Sequence, residues 1–335
     1  MSSAVPSAGR ALESARSALR VAFGDRVRTA GVDRVEALAL NDTVVPGHAS
    51  VRLVGDTLDV HPVPPPTSPT FEGFLDGIQR SSTVAYIDGV PLLHGTAAVA
   101  IRQRSAAGRL STWRPPMIEH AVYASHALLG DGTWAELHAV MSLRGHLLRD
   151  SDDNLPVPSR HPSALLRQSM DALARVRNAM ERTLGEQWCD AHDTRPLYVD
   201  GSLRGSHALM QSTGAVGVVK SHATLYLPDD AFSVLASLQA AQRTSVLEAL
   251  DAAGRTRSLT WYLRLRTAAG HDPFFGLIRV ETGIRDGGAS VLEQHADAIS
   301  SWLLAERVPL SKPDARWDVL PYAIRDCAVY LRAVA

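Results

Sequence analysis

Leu197-Tyr198-Val199-Asp200-Gly201-Ser202 is an apolar run that stops on a carboxylate, and Phe74-Leu75-Asp76-Gly77 is a second such run far upstream. A run of this length bounded by a turn signal reads as a buried strand. Ending it on aspartate carries the carboxylate to the edge of a sheet. Two such strands side by side make a hard, oxygen-rich site of the kind that holds Mg²⁺ or Mn²⁺. Asp and Gly are also the commonest turn residues, so an arbitrary Asp-Gly step is first of all a turn. Asp88-Gly89 fits that plain reading, because alternating runs flank it on both sides. Asp200 is followed instead by polar sequence with no tight hairpin return.

Working outward, Ala11 to Val27 has helical spacing, and Val51 to Val60 alternates as a strand around Gly55-Asp56. Pro62 to Pro69, with five prolines in eight residues, reads as an extended linker. These signals set residues 1–70 apart as a small N-terminal α+β extension, with the main domain at 71–335. From Phe71 to Arg104 the pattern predicts an antiparallel meander: one strand with Asp76, a second at Thr83 to Ile87, and a return from Val90. Asp150 to Pro162 is a polar loop, and Ser163 to Gln187 is a long helix with an apolar side. After the Asp200 strand come strand candidates at Val216 to Val219 and Thr224 to Leu227, then a helix over Ala231 to Ala252. Thr260 to Arg266 alternates as a strand with Phe274 to Thr282 as its hairpin partner; helices follow at Ala289 to Ala305 and Pro321 to Val334. The order predicts an α/β, RNase H-like mixed sheet flanked by helices, in which the first strand and a later parallel strand present their carboxylates together.

Composition bounds the reading without deciding it. A 45% hydrophobic and 21% charged chain of 335 residues is an ordinary globular protein that can bury a large core. No apolar run approaches bilayer length, and Met1 to Gly9 lacks the apolar segment of a signal peptide, so a cytoplasmic location without membrane contact is expected. Cys189 and Cys327 form no metal spacing. The net charge of −1 gives no support for nucleic-acid binding. Every one of the 34 basic residues except Lys220 and Lys312 is arginine, which suits bidentate phosphate contact but equally follows from genomic base composition.

A third carboxylate is expected from the segment between the two aspartates. Glu181 is favoured, on the helix that also carries Arg175, Arg177 and Arg182, with Glu186 and Glu136 as competitors; a solvated helix face explains Glu181 equally well on spacing alone. Gly214 to Ser221 resembles a phosphate loop, yet Lys220 lacks the glycine that must precede it, so no ATP site is expected. Lys220 and His222 are candidates for DNA phosphate contact, against a lysine that merely ends a strand. Arg264 and Arg279, on the Trp261 hairpin, are further candidates, against an exposed charged face. The 13 histidines include no HExxH, and no Gly-x-Ser-x-Gly is present.

In this order and spacing the sequence resembles the NurA family, nucleases that work with the hexameric HerA translocase. The segments that carry the resemblance run from Phe74-Leu75-Asp76-Gly77-Ile78-Gln79-Arg80 through Ala179-Met180-Glu181 and Val199-Asp200-Gly201-Ser202-Leu203 to Val216-Gly217-Val218-Val219-Lys220-Ser221-His222. Tyr226-Leu227-Pro228, Arg243-Thr244, Trp261 to Leu265, Gly276 to Glu281 and Val319-Leu320-Pro321-Tyr322 complete them. The resemblance implies a Mn²⁺-dependent (or Mg²⁺-dependent) two-metal nuclease acting on DNA, a homodimer, and a HerA-type ATPase partner in end processing or phage defence. It sets Asp76, Glu181 and Asp200 on metal-ligand positions, makes Arg80 a DNA-binding residue, and leaves the N-terminal extension at 1–70 for docking or dimerisation. Archaeal members carry a Tyr-Pro motif and a histidine near the metals; here Asp326 falls at the place of that histidine. The alternative is a catalytically inactive RNase H-like DNA-binding or adaptor subunit.

Overall fold

The longest strand pair of the chain, Gly73–Ile87 with Val90–Arg104, turns at Asp88 and Gly89, whose φ angles of 49° and 85° are both left-handed. Such a two-residue turn matches the right-handed twist of the strands it joins. The computed structural model describes residues 8–29, 47–66, 70–152, 160–192, 194–228, 231–307 and 322–335. Among these the helices are α1 (Ala8–Phe23), α2 (His126–Ser142), α3 (Pro162–Ala191), α4 (His207–Gln211), α5 (Phe232–Ser237), α6 (Ala289–Glu306) and α7 (Tyr322–Val334). The strands of the N-terminal half are β1 (Val27–Thr29), β2 (Gly47–His48), β3 (Val51–Leu53), β4 (Val60–Pro62), β5 (Gly73–Ile87), β6 (Val90–Arg104), β7 (Leu110–Thr112), β8 (Met117–Ala124) and β9 (Leu147–Asp150). Those of the C-terminal half are β10 (Leu197–Asp200), β11 (Ala215–Val219), β12 (Thr224–Leu225), β13 (Gln242–Thr244), β14 (Leu247–Leu250), β15 (Thr256–Arg264) and β16 (Leu277–Thr282).

The main path of the sheet runs β3-β14-β15-β16-β11-β10-β5-β6-β8-β9. β5, β6 and β8 form the antiparallel meander; β10 then returns parallel to β5, and β11 is parallel to β10. This is the RNase H-like arrangement, a mixed sheet with helices on both faces. Because side chains alternate along a strand, the two faces have separate cores. Leu75, Val99, Ile101 and Val199 pack under Leu173, Met180, Leu184 and Trp188 of α3. On the other face Phe74, Tyr198, Val218 and Trp261 meet Leu292, Ala296, Ile299 and Leu303 of α6. Ala98 and Ala100 lie there against Cys327 and Leu331 of α7.

The small N-terminal extension is knitted into this sheet. β1 pairs with the end of β5, β3 with β14, and β4 with β13. Leu19 and Phe23 of α1 pack against Val84, Ile87 and Leu137. Residues 67–69 of the Pro-rich stretch and 153–159 of the polar loop lie outside the described residues.

Three local expectations fail for identifiable reasons. The strand carrying Asp76 does not stop there. Arg80-Ser81-Ser82 breaks the apolar pattern, but its backbone continues to pair with Thr96, Gly95 and His94, and only a register shift near Val84 interrupts β5. The helix expected over Ala231 to Ala252 is instead the short α5 followed by β13 and β14, which pair with β15 and with the N-terminal strands. Leu247 and Ala249 are buried and alternate with the less buried Glu248 and Leu250 once partners exist, and tertiary pairing overrides local propensity. Thr224–Leu225 shrinks to two residues paired with β2, away from the main sheet. α2, in a stretch without clear periodicity, is kinked at Gly130 (φ 74°) and has no clean apolar stripe.

Candidate active site

β10 and β5 run parallel with Leu197, Tyr198 and Val199 opposite Gly73, Phe74 and Leu75. One further step in this register sets Asp200 beside Asp76. Both carboxylates lie on the face of Phe74 and Tyr198 by strand alternation. Lys220, just beyond β11, reaches the same place: its Nζ is 2.5 Å from both carboxylate oxygens of Asp200. Asp76 Oδ1 accepts a hydrogen bond from the Gly77 amide at 2.8 Å.

Glu181 arrives from α3, on the other face. The absence of a side chain at Gly77 admits it, since a Cβ there would stand 2.2 Å from Glu181 Oε1. The Glu181 carboxylate therefore rests on the β5 backbone next to Asp76, with Arg177 Nε 3.5 Å away. Its two competitors are placed elsewhere. Glu186 accepts from Ser206 Oγ at 2.7 Å, and Glu136 is exposed on α2.

The electrostatics record this crowding. Burial, then the charges of Asp200 and Glu181, raise the Asp76 carboxyl to about 7 against the pull of Lys220. Burial raises Glu181 to about 7 as well, with Asp200 adding and Arg177 opposing. Two carboxyl groups that retain protons near neutrality mark a site short of positive charge, a common property of functional sites. The donor set, carboxylate oxygen alone, fits Mn²⁺ or Mg²⁺ chemically. Among the described residues no group of three His, Cys, Asp or Glu side chains forms a ready-made metal cage. Asp200 is already engaged by Lys220.

The loop after Asp200 is held by a residue that the sequence pattern did not single out as functional. Glu281 is fully buried on β16. It accepts from Ser202 Oγ at 2.6 Å, from the Leu203 amide at 3.3 Å and from Ser258 Oγ at 3.0 Å. Gly201 N–H donates to Val218 O at 3.0 Å, which fixes the chain as it leaves β10. A glutamate beside the apolar Leu277, Ile278 and Val280 was the available signal, since a buried carboxylate needs several partners.

A cleft of about 320 Å³ opens beside Glu181 and Asp200, lined by Arg177, Arg182 and Arg204. It shares Arg204 and Ser206 with a depression of about 660 Å³ that adds His207, Arg255 and Arg257. The guanidinium of Arg204 lies 4.6 Å from the Tyr226 ring centroid and is 3.5 Å from Glu281.

The residues expected to grip DNA are mostly committed within the protein. Arg264 is fully buried and donates to the carbonyls of Pro273, Phe275 and Leu235. Arg279 is buried over Tyr226 and donates to Thr260 Oγ1 at 3.2 Å. The exposed face that would have offered them to DNA is covered. His222 donates to Leu277 O and stacks on Phe274. Arg80 is exposed and donates to Arg332 O at the end of α7. Asp326, expected near the metals, accepts from Arg102 Nε at 2.7 Å, and Arg102 in turn stacks on Tyr330. That pair ties α7 to β6.

No family model and no curated protein sequence matches the chain. No helix among the described residues is long and apolar enough to cross a membrane.

Proposed function

We propose that the chain is a NurA-type, metal-dependent deoxyribonuclease. The observation that carries the reading is the juxtaposition of Asp76 and Asp200 on adjacent parallel strands, with Glu181 laid over Gly77 beside them. These three would hold Mn²⁺ or Mg²⁺. Bound there, a divalent cation supplies an activated water and charge neutralisation on the scissile phosphate. The rest of the work belongs to side chains of the chain itself. Arg177, Arg182 and Arg204 line the cleft at the carboxylates and suit bidentate contact with phosphate oxygens. Arg257 adds a further cation in the adjoining depression, where Arg255 is paired with Asp251. Glu281 keeps the Asp200 loop in place through Ser202 and Leu203. By the family resemblance, a homodimer would deliver DNA to this site with a HerA-type hexameric ATPase, in end processing or phage defence.

Two observations favour the rival reading, an inactive DNA-binding or adaptor subunit. Lys220 occupies Asp200, and a preformed three-ligand cage is absent among the described residues. Labelled single- and double-stranded DNA incubated with the purified chain in Mn²⁺, Mg²⁺ or EDTA separates the two. Cleavage that requires the metal supports the nuclease; tight binding without cleavage in any metal supports the inactive subunit.

A further inference from the structure

We infer that Lys220 is the resident counter-cation of the carboxylate site, and that a divalent cation competes with it for Asp200. This rests on the nuclease reading and adds to it a residue that sets metal affinity.

The geometry is specific. Lys220 is one of two lysines in a chain whose other basic residues are arginines. Its Nζ lies 2.5 Å from each oxygen of Asp200, between the two, so a divalent cation bound across both oxygens has to displace the ammonium. The pair is mostly shielded, with side-chain exposures of 22% and 17%. Arg177, by contrast, pairs with Glu181 from the other face of the sheet. A compact ammonium on a flexible four-carbon stem occupies a cation position and can leave it by rotation alone, which a planar guanidinium does less readily. The backbone can stay fixed meanwhile, since Val219 is in register with Arg279 and His222 is held on Leu277 O.

Two roles for Lys220 predict opposite signs. If it merely orients Asp200 for the metal, its loss weakens metal binding. If it competes with the metal, its loss strengthens binding, because the metal no longer has to break an ion pair. The experiment is calorimetric titration of the full chain with Mn²⁺, without DNA, for wild type, Lys220→Met, Lys220→Gln, Lys220→Arg and Asp200→Asn. The neutral variants should bind Mn²⁺ about 5- to 150-fold more tightly than wild type, the usual range for coupling between two ligands. Lys220→Arg should stay within a few-fold of wild type, and Asp200→Asn should lose binding. Unchanged or weaker Mn²⁺ binding in both folded neutral variants overturns the inference, as does misfolding of both by circular dichroism. If Asp200→Asn loses Mn²⁺ while Lys220→Met matches wild type, the lysine inference alone fails. If wild type and every variant bind no Mn²⁺, the nuclease reading fails with it.

Discussion

Asp76→Asn should stabilise the metal-free protein. The substitution keeps the volume of the side chain and the oxygen that accepts from the Gly77 amide, but removes a carboxylate buried beside Asp200 and Glu181. In the unfolded chain this carboxyl titrates near 3.8, and in the fold near 7. The folded state therefore holds a proton that the unfolded state has released. Stability from this group is fully present below pH 4 and is lost as pH rises through 7. At about 1.36 kcal/mol per tenfold change in proton affinity, the full loss is about 4 kcal/mol above pH 8. Because the neighbouring carboxylates share the repulsion, Asp76→Asn should recover about 2–4 kcal/mol there. Urea unfolding at pH 8 in EDTA reads this as a raised midpoint, and the gain should vanish near pH 4. Adding Mn²⁺ should reverse the order, since only a chain that binds the metal gains from it. A variant no more stable than wild type at pH 8 in EDTA, or equally stabilised at both pH values, would refute the crowded-carboxylate argument.

Gly77→Ala should leave the melting temperature within a few degrees of wild type, because the clashing atom is the movable end of Glu181, yet lower the cleavage rate at least about tenfold by dislodging that carboxylate. Arg264→Met should destabilise the protein by about 3 kcal/mol or more, since three carbonyls lose their donor; DNA affinity of the folded fraction should not change. Arg204→Ala and Arg257→Ala should instead weaken DNA binding, measured in Ca²⁺, and each reduce the log K versus log salt slope by about 1. Burial, with His120, His146 and Arg16 nearby, lowers His94 to about 4, so its imidazole is neutral in the fold and charges on unfolding. Stability from His94 is present above pH 6.5 and lost as pH falls toward 4; unfolding free energies from urea titrations across that range should fall by up to about 3 kcal/mol less in His94→Gln than in wild type.

What could be read from the sequence follows from what sequence patterns encode. Leu197 to Asp200 was legible because a strand buried on both faces is continuously apolar, and Gly201 marks its end. The Trp261 hairpin was legible because its two strand-like runs are neighbours in sequence and pair across the connection at 265–276. The course of β5 past Asp76 was not, since Arg80, Ser81 and Ser82 look like a break and are held in the strand only by β6. β13 and β14 depend on partners from both ends of the chain, which local pattern cannot supply. Asp76 and Asp200 could be paired from the strand pattern, whereas spacing alone left Glu181 no better than a solvated helix face; its place over Gly77 depends on how α3 packs. The fate of the basic residues was not, because Arg264 and Arg204 differ in burial rather than chemistry. Arg264 lies under the loop at 273–275, whereas Arg204 lines the cleft.

The most direct test of the account is the single-turnover cleavage rate of Asp200→Asn against wild type on labelled DNA in saturating Mn²⁺, with the fold of both checked by thermal melting. Removing one of the proposed metal ligands should cost at least about 10²-fold in rate with no loss of stability. Equal cleavage by the two proteins, or no cleavage by wild type in Mn²⁺ or Mg²⁺, would contradict the claim that these carboxylates form a nuclease centre.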